Sequence, residues 1–433
     1  MRIKSYKSAL IAIVLCGLTL MVAAQEDTIG KSRRLTIGGY GEAVYSYHFY
    51  SDNVFRYSHA DRYTESKGYG RVDLPHAVIM LGYDLGRGWS IGTEVEFEHG
   101  GIEAAVEKET EETGEFEQEI ERGGEVALEQ LWVQKSYGRA LNIRAGHIVV
   151  PVGMTNNNHT PDHFFSVYRP EGESTIMPCT WHETGVSLWG RAGMWRYELQ
   201  LLPALNSNLF NESGWVHNGS ASPYEFRPAN SLAGAVRADY MGVPGLRISL
   251  SGYVGNSFNN DITTAAYSET SRYYGAKGIV LIGAFDFDYH NKWLLLRGNF
   301  DYGYLGDAGL ISIRNKNQTT MTGNPYPHTA VGKGAYDGSI EAGVDILSFA
   351  SHRKGDGHLY LFGRYDCYDS FIPASGFDDI GWTARQVYSG GLNYYPLKHI
   401  AIKAEAGLRK FADRYNNEPF VAVGITWVNF NMR

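Results

Sequence analysis

His159, Asp162, His163, Arg169, Glu171, Glu173 and Cys179 all fall within residues 151–181, and His182 follows just beyond. Side chains of these types bind metals, move protons or hold ions. On a helix, the spacing from His159 to His163 would turn two imidazoles toward one metal. Pro161 lies between them, and a proline inside a helix removes a hydrogen bond and clashes with the preceding turn. We therefore expect no metal site and no cofactor there. A hydrolase would need a nucleophile, a base and an orienting group on one face. Ser and His are present, but no nucleophile elbow or similar local signature occurs, so we expect no enzyme. The acidic stretch GEFEQEIERGGE could bind divalent cations or a partner, although solvated surface charge is the simpler reading. What is left for residues 151–181 is to sort ions by charge.

These residues lie in a stretch with neither helical nor strand periodicity. A structureless loop of this length between regular elements is usually functional. Its flanks, LNIRAGHIVV and HETGVSLWG, alternate with a period of two, as strands do. The alternation recurs along the chain. In KWLLLRGNFDYGYL, Leu294, Leu296, Gly298, Phe300, Tyr302 and Tyr304 face one way, while Leu295, Arg297, Asn299 and Asp301 face the other. About sixteen such strands follow one another, and their connections alternate between short turns and long loops. Aromatics make up 13% of the chain, with 30 Tyr and 51 Gly, which suits strands better than packed helices.

The pattern predicts an all-β fold, a transmembrane antiparallel β-barrel with short periplasmic turns and long outer loops. A propeller would show a blade repeat, and none is present. A plugged barrel of about 22 strands would need a longer chain. Residues 1–24 read as a signal peptide, with Arg2, Lys4 and Lys7 before an apolar core and Val22-Ala23-Ala24 at the cleavage site. Residues 25–34 form a short periplasmic segment, and residues 35–433 the barrel. Removing the leader takes away three positive charges and no acid, so a formal net charge of −8 becomes −11. So acidic a chain argues against nucleic acid as a partner. No later stretch is long and apolar enough for a transmembrane helix. The expected location is the outer membrane, with its lipid as partner. Cys179 and Cys367 are too few for a disulfide framework and are read as unpaired thiols.

If the apolar faces meet lipid, the polar faces line a lumen. Glu94, Glu96 and Glu98 then point inward from one strand. Arg144, Arg196, Arg237, Arg247, Arg297, Lys403 and Arg409 supply positive charge to the wall, and Asp286 and Asp301 supply negative charge. Ionisable groups inside a membrane span usually face an aqueous cavity. Many of these would pair with wall neighbours. Counted from the N-terminus, residues 151–181 form the third outer loop. Folded inward, His159, Asp162, His163, Arg169 and Glu171 would line a constriction; folded outward, the loop would be a lid on the rim.

The segment LEQLWVQKSYGRALNIRAGHIVVPVG, with WHETGVSLWG after the loop, resembles the phosphate-selective porin O and P family of outer-membrane channels. Leu128-Glu129-Gln130 opens one strand, Gly146, Pro151 and Gly153 match a strand end, and Trp181, Glu183 and Gly185 match the return strand. The resemblance covers roughly residues 126–190. It implies a channel, a homotrimer, and a preference for anions such as phosphate supplied by lumen arginines and lysines. This chain departs from it in showing no arginine ladder along one wall, no cluster of loop lysines, and many lumen acids, so no phosphate-binding residues are carried over. The expected function is a porin for passive diffusion of small hydrophilic or charged solutes. The alternative is a barrel-anchored surface protein that binds sugars or partners through loop aromatics such as Trp215, Tyr224 and Tyr326.

Overall fold

The computed structural model describes residues 34–50, 65, 68–100, 104–109, 117–122, 125–222, 224–261, 268–317, 328–350, 357–412 and 414–432. The expected signal peptide, nearly all of the 25–34 segment, and Tyr326 lie outside the described residues.

The strands in chain order are β1 (Leu35–His48), β2 (Tyr69–Asp73), β3 (His76–Gly86), β4 (Trp89–Glu98), β5 (Ala104–Glu109), β6 (Glu117–Arg122), β7 (Glu125–Ser136), β8 (Asn142–Val149), β9 (His182–Ala192) and β10 (Trp195–Pro203). They continue as β11 (Leu232–Val243), β12 (Leu246–Asn256), β13 (Ile279–His290), β14 (Leu294–Leu305), β15 (Gly334–Asp345), β16 (His358–Ile372), β17 (Ala384–Leu397), β18 (Ile400–Lys410) and β19 (Glu418–Met432). Two short helices are α1 (Glu171–Ile176) and α2 (Ala308–Lys316).

Strands β5 and β6 pair with each other as a hairpin within the acidic outer loop. The other seventeen form one antiparallel sheet that closes where β1 pairs with β19. Strand β1 pairs with β2 along its second half and with β3 along its first. Leu74-Pro75 separates β2 from β3, and a proline cannot donate to the ladder. The pair is therefore one interrupted stave, and the barrel has sixteen. Closure leaves no edge whose backbone groups would go unsatisfied in hydrocarbon.

Burial assigns the two faces. On β14, Phe300 and Tyr302 expose 55% and 47% of their surface, while Asp301 between them is fully buried. Leu250 and Ser249 on β12 show the same contrast. A soluble sandwich would bury its apolar faces; here they form the outer surface of a closed barrel and the charges lie within. That arrangement suits lipid outside and a polar interior. The protein is an outer-membrane β-barrel.

The alternation slips once on β7. Glu94 pairs with Gln130, but the next residue, Val95, pairs with Leu128. This bulge inserts one residue, so Leu128 and Leu131 both face outward while Glu129 and Gln130 both turn inward.

The buried apolar cluster gathers where the long loops pack on one another, around Trp181, Phe210, Trp215, Phe258 and Ile311. Trp215 is fully buried and donates its indole N–H to the Gly332 carbonyl at 3.1 Å. It is a packing residue, contrary to the expectation that it is free to contact sugars. Tyr224 stacks on Phe226, with ring centroids 5.5 Å apart.

Candidate functional site

Residues 150–181 leave β8 and return to β9 through a closed neck. The Val150 N–H donates to the Trp181 carbonyl at 2.9 Å. Asn156 donates to the Val150 carbonyl at 2.7 Å and accepts from the Trp181 N–H at 2.5 Å. Gly153 is required beyond the neck. Its φ is +82°, and a Cβ there would lie 2.3 Å from a Glu173 oxygen. That Glu173 carboxylate, from α1, accepts the N–H groups of Met154, Thr155 and Asn156 at 2.8, 2.9 and 2.9 Å. One buried acid thus fixes the turn that carries the loop inward.

Side chains of the barrel wall then take hold of the loop backbone. Arg237 of β11 donates to the Gly153 carbonyl at 2.9 Å, and Ser251 of β12 accepts the Gly153 N–H at 3.1 Å. Arg297 of β14 donates to the His163 carbonyl. Glu341 of β15 accepts the Phe165 N–H at 3.0 Å. Asn393 of β17 donates to the Phe165 carbonyl at 2.8 Å. From β18, the Lys403 ammonium donates to the carbonyls of Pro161, Phe164 and Ser166 at 2.6, 2.8 and 3.0 Å, and Glu405 accepts the Val167 N–H at 2.9 Å. Arg409 reaches Glu171 at 2.9 Å, and Tyr368 of β16 reaches the same oxygen at 2.8 Å. Arg169 donates to the Tyr40 hydroxyl of β1 at 3.3 Å. Partners on strands from β11 through β18 and on to β1 place the loop across the interior, not over the rim.

This also shows what the expected wall charges touch. Arg237 binds Asp286 at 2.9 Å as well as the loop, and Arg247 binds Asp286 at 3.3 Å. Arg196 bridges Glu198 and Asp239 at 2.6 and 3.0 Å. Arg144 lies over the Trp132 ring at 4.4 Å and donates to Gln134 at 3.0 Å. Asp301 accepts from Asn299 at 2.6 Å. Glu94 accepts from Gln130, and Glu96 lies 3.7 Å from Arg169. Glu98 joins Glu96 around His76. Of the loop candidates, His163 turns to Thr160 and Asp162, whereas buried His159 lies 3.9 Å from Glu94. The two histidines do not share a site. Arg237, Arg297, Lys403 and Arg409 hold the loop, where the sequence placed them on the lumen wall with many of its charges expected to pair with wall neighbours.

Among the loop acids, burial works to raise the Glu171 carboxyl, but the Arg409 charge and hydrogen bond, with Arg385 and Tyr368, hold it below its ordinary value. Burial likewise works against ionisation of Asp162, yet the hydrogen bond and charge of His163 and the Thr160 hydroxyl bring it down to about 2. Burial raises the Glu173 carboxyl against the pull of its three N–H donors. Burial also pushes the Cys179 thiol up to about 12, and both cysteines are free. A depressed carboxyl gives its stabilisation above its unfolded value and loses it as pH falls through the folded one. The Glu171–Arg409 contact is therefore fully present above the ordinary glutamate value of 4.5. We expect the conductance difference between the unmutated protein and Arg409→Gln to stay flat from neutral pH to about pH 5 and to change only below that range, as read from bilayer recordings at stepped pH. A step near neutral pH would show that another group controls the contact.

Several contributors escaped the sequence reading. Arg364 and Asp366 of β16 pair with each other, and Arg364 lies 3.5 Å from Glu341. Alternation along HLYLFGRYDCYD places both on the inner face, so the signal was present. Arg71, 4.7 Å over the Tyr168 ring, sits on the short stave segment β2. Beside the loop, a cavity of about 210 Å³ is lined by Arg71, Arg169, Arg364 and Arg409, with Glu171, Asp366 and Glu405 among them. A space of about 10 Å³ adjoins it at Pro170 and Arg364, lined also by Asn158, His163, Arg247 and Arg297. That narrow space is about the size one water requires.

No protein-family model matches the chain. It is 24% identical over 402 residues to an uncharacterized protein of Aquifex aeolicus (strain VF5), covering 91% of this chain and 80% of that one. Its fold is similar to that of an anion-selective porin from Comamonas acidovorans, with 12% identity, a TM-score of 0.52, and coverage of 91% of this chain and 99% of that one. It is also similar to the outer membrane channel DcaP of Acinetobacter baumannii, with 11% identity, a TM-score of 0.51, and coverage of 91% and 96%. Salmonella typhi OmpF, solved in complex with daunomycin, gives 11% identity, a TM-score of 0.51, and coverage of 91% and 97%. At these identities the likeness is one of fold, and the fold is that of bacterial outer-membrane porins.

Proposed function

We propose that this protein is a porin, a channel without catalytic activity through which small hydrophilic or charged solutes diffuse passively. The observation that carries the reading is the loop of residues 150–181. Its backbone is fastened by wall side chains inside a closed barrel, which narrows the lumen. The cavity among Arg71, Arg169, Arg364 and Arg409 supports a preference for anions, phosphate included. Acids on the same lining keep binding weak enough for release, which conduction requires. Membership of the phosphate-selective family and assembly as a homotrimer are part of this reading and rest on the sequence resemblance.

Single-channel recording of the refolded protein in planar bilayers tests it. The expected result is stable ohmic steps, with a reversal potential under a KCl gradient of the sign set by chloride. Arg71→Gln should move that potential toward the cation side and leave the steps quiet, because the residue lines the cavity and meets the loop at the Tyr168 ring. Silence from a protein confirmed as a folded barrel would sink the porin reading.

A further inference from the structure

Glu94 of β4, Glu129 at the β7 bulge and His159 of the inward loop converge on one point. One ligand atom from each lies within 4.8 Å of the others. All three residues are more than nine-tenths buried. Oε1 of Glu94 and Nε2 of His159 have no hydrogen-bond partner, and the Glu129 carboxylate has only the side chains of Glu96 and Thr180 beside it. Leaving such groups buried and unpaired is costly, so something of opposite character should fill the space between them.

The state of His159 says what. Its Nδ1 lies 3.0 Å from the Asn156 carbonyl. A carbonyl only accepts, so Nδ1 is a donor and Nε2 is the nitrogen that faces the two carboxylates. This is how metal-binding histidines are oriented, with the far nitrogen anchored by a backbone carbonyl. A direct ion pair with a protonated ring would bring nitrogen and oxygen to about 2.7–2.9 Å. The observed 3.9 Å from Nε2 to Glu94 is too long for that. It fits two ligands across a metal, since bonds of about 2.0–2.2 Å hold neighbouring ligand atoms roughly 3–4 Å apart.

We propose that Glu94, Glu129 and His159 form a binding site for a divalent transition-metal ion of the zinc type. Imidazole with two carboxylates favours such an ion over calcium or magnesium. The site would complete its shell with water, and a cavity of about 200 Å³ that reaches Glu94 past Gly38, Gly92, Gln130 and Trp132 gives access. Because two ligands are on the wall and the third is on the loop, the ion would staple the loop to β4 and β7. The bulge matters here, since it lets Glu129 and Gln130 both turn inward.

The full chain, refolded in detergent and stripped with chelator, is titrated with Zn²⁺ by calorimetry and with Co²⁺ by visible absorption. We expect one tight Zn²⁺ per chain and Co²⁺ ligand-field bands. Glu129→Gln and His159→Gln should each weaken binding by about 100-fold or more, since even groups behind a ligand are worth about 10–100-fold. His290→Gln, at the exposed turn between β13 and β14, should change nothing. Absence of Co²⁺ bands and of a tight site in the unmutated protein overturns the proposal without any variant. So does affinity left unchanged in Glu129→Gln and His159→Gln, which would place the ion on surface histidines. The readout is binding, so metal-free conductance still judges the channel reading separately.

Discussion

Glu173→Ala unlatches the inward loop and leaves the barrel folded. The carboxylate accepts three backbone N–H groups at 2.8–2.9 Å through both of its oxygens. Hydrogen bonds to a charged group are the strong ones, and buried donors left without an acceptor add a desolvation cost. Together these amount to about 3–5 kcal/mol, allowing for non-additivity. None of that cost falls on the strand ladders, whose hydrogen bonds run between backbones around the ring. The loss is therefore local, an opening of residues 153–158 away from Arg237 and Ser251. Single-channel steps should become larger and noisier, while heat-modifiable mobility on gels stays that of the unmutated barrel. Glu173→Gln should lie between, because its amide oxygen still accepts while its NH₂ opposes at least one N–H. Gly153→Ala should resemble Glu173→Ala, since the new methyl would displace the same carboxylate from a backbone already at positive φ. Quiet steps of unmutated size in Glu173→Ala would show that the wall contacts hold the loop alone.

The barrel could be read from the sequence because each strand carries its own evidence. The face of β14 that bears Phe300 and Tyr302, and the face that bears Arg297 and Asp301, follow from alternation within fourteen residues. The wall charges were legible for the same reason. Their partners were not. Lys403 binds carbonyls of Pro161, Phe164 and Ser166, about 240 positions away. Every residue has a carbonyl, so nothing in the side chains of residues 161–166 marks them as acceptors. The β7 bulge was hidden differently. Strict alternation from Val126 and Leu128 sends Gln130 to lipid and gives no reason for Leu131 to be outside, and only the bulge restores the phase. The histidine spacing says little for a related reason. His159 lies beside Glu94 of β4 and Glu129 of β7, whereas His163, four residues along the loop, turns to Thr160 and Asp162.

Lys403 shows how much turns on that distinction. As a lone wall cation it would attract anions, and removing it would lower anion preference without changing the steps. Its ammonium instead directs three donors at three loop carbonyls and lies 4.3 Å over the Phe164 ring. It is fully buried, so no passing ion reaches it. Lys403→Met keeps the length and apolar stem of the side chain but removes every donor. The three carbonyls lose charge-assisted bonds, and Glu405, two residues along the same inner face, loses a neighbouring positive charge while still holding the Val167 N–H. The cost is about 3–4 kcal/mol, again borne by the loop and not the ladder. Recordings should show larger, fluctuating steps with the reversal potential little moved, the opposite of Arg71→Gln. A clean shift in reversal potential on quiet steps would return Lys403 to the solute path and make the fastening of the loop the work of Glu341, Asn393 and Glu405.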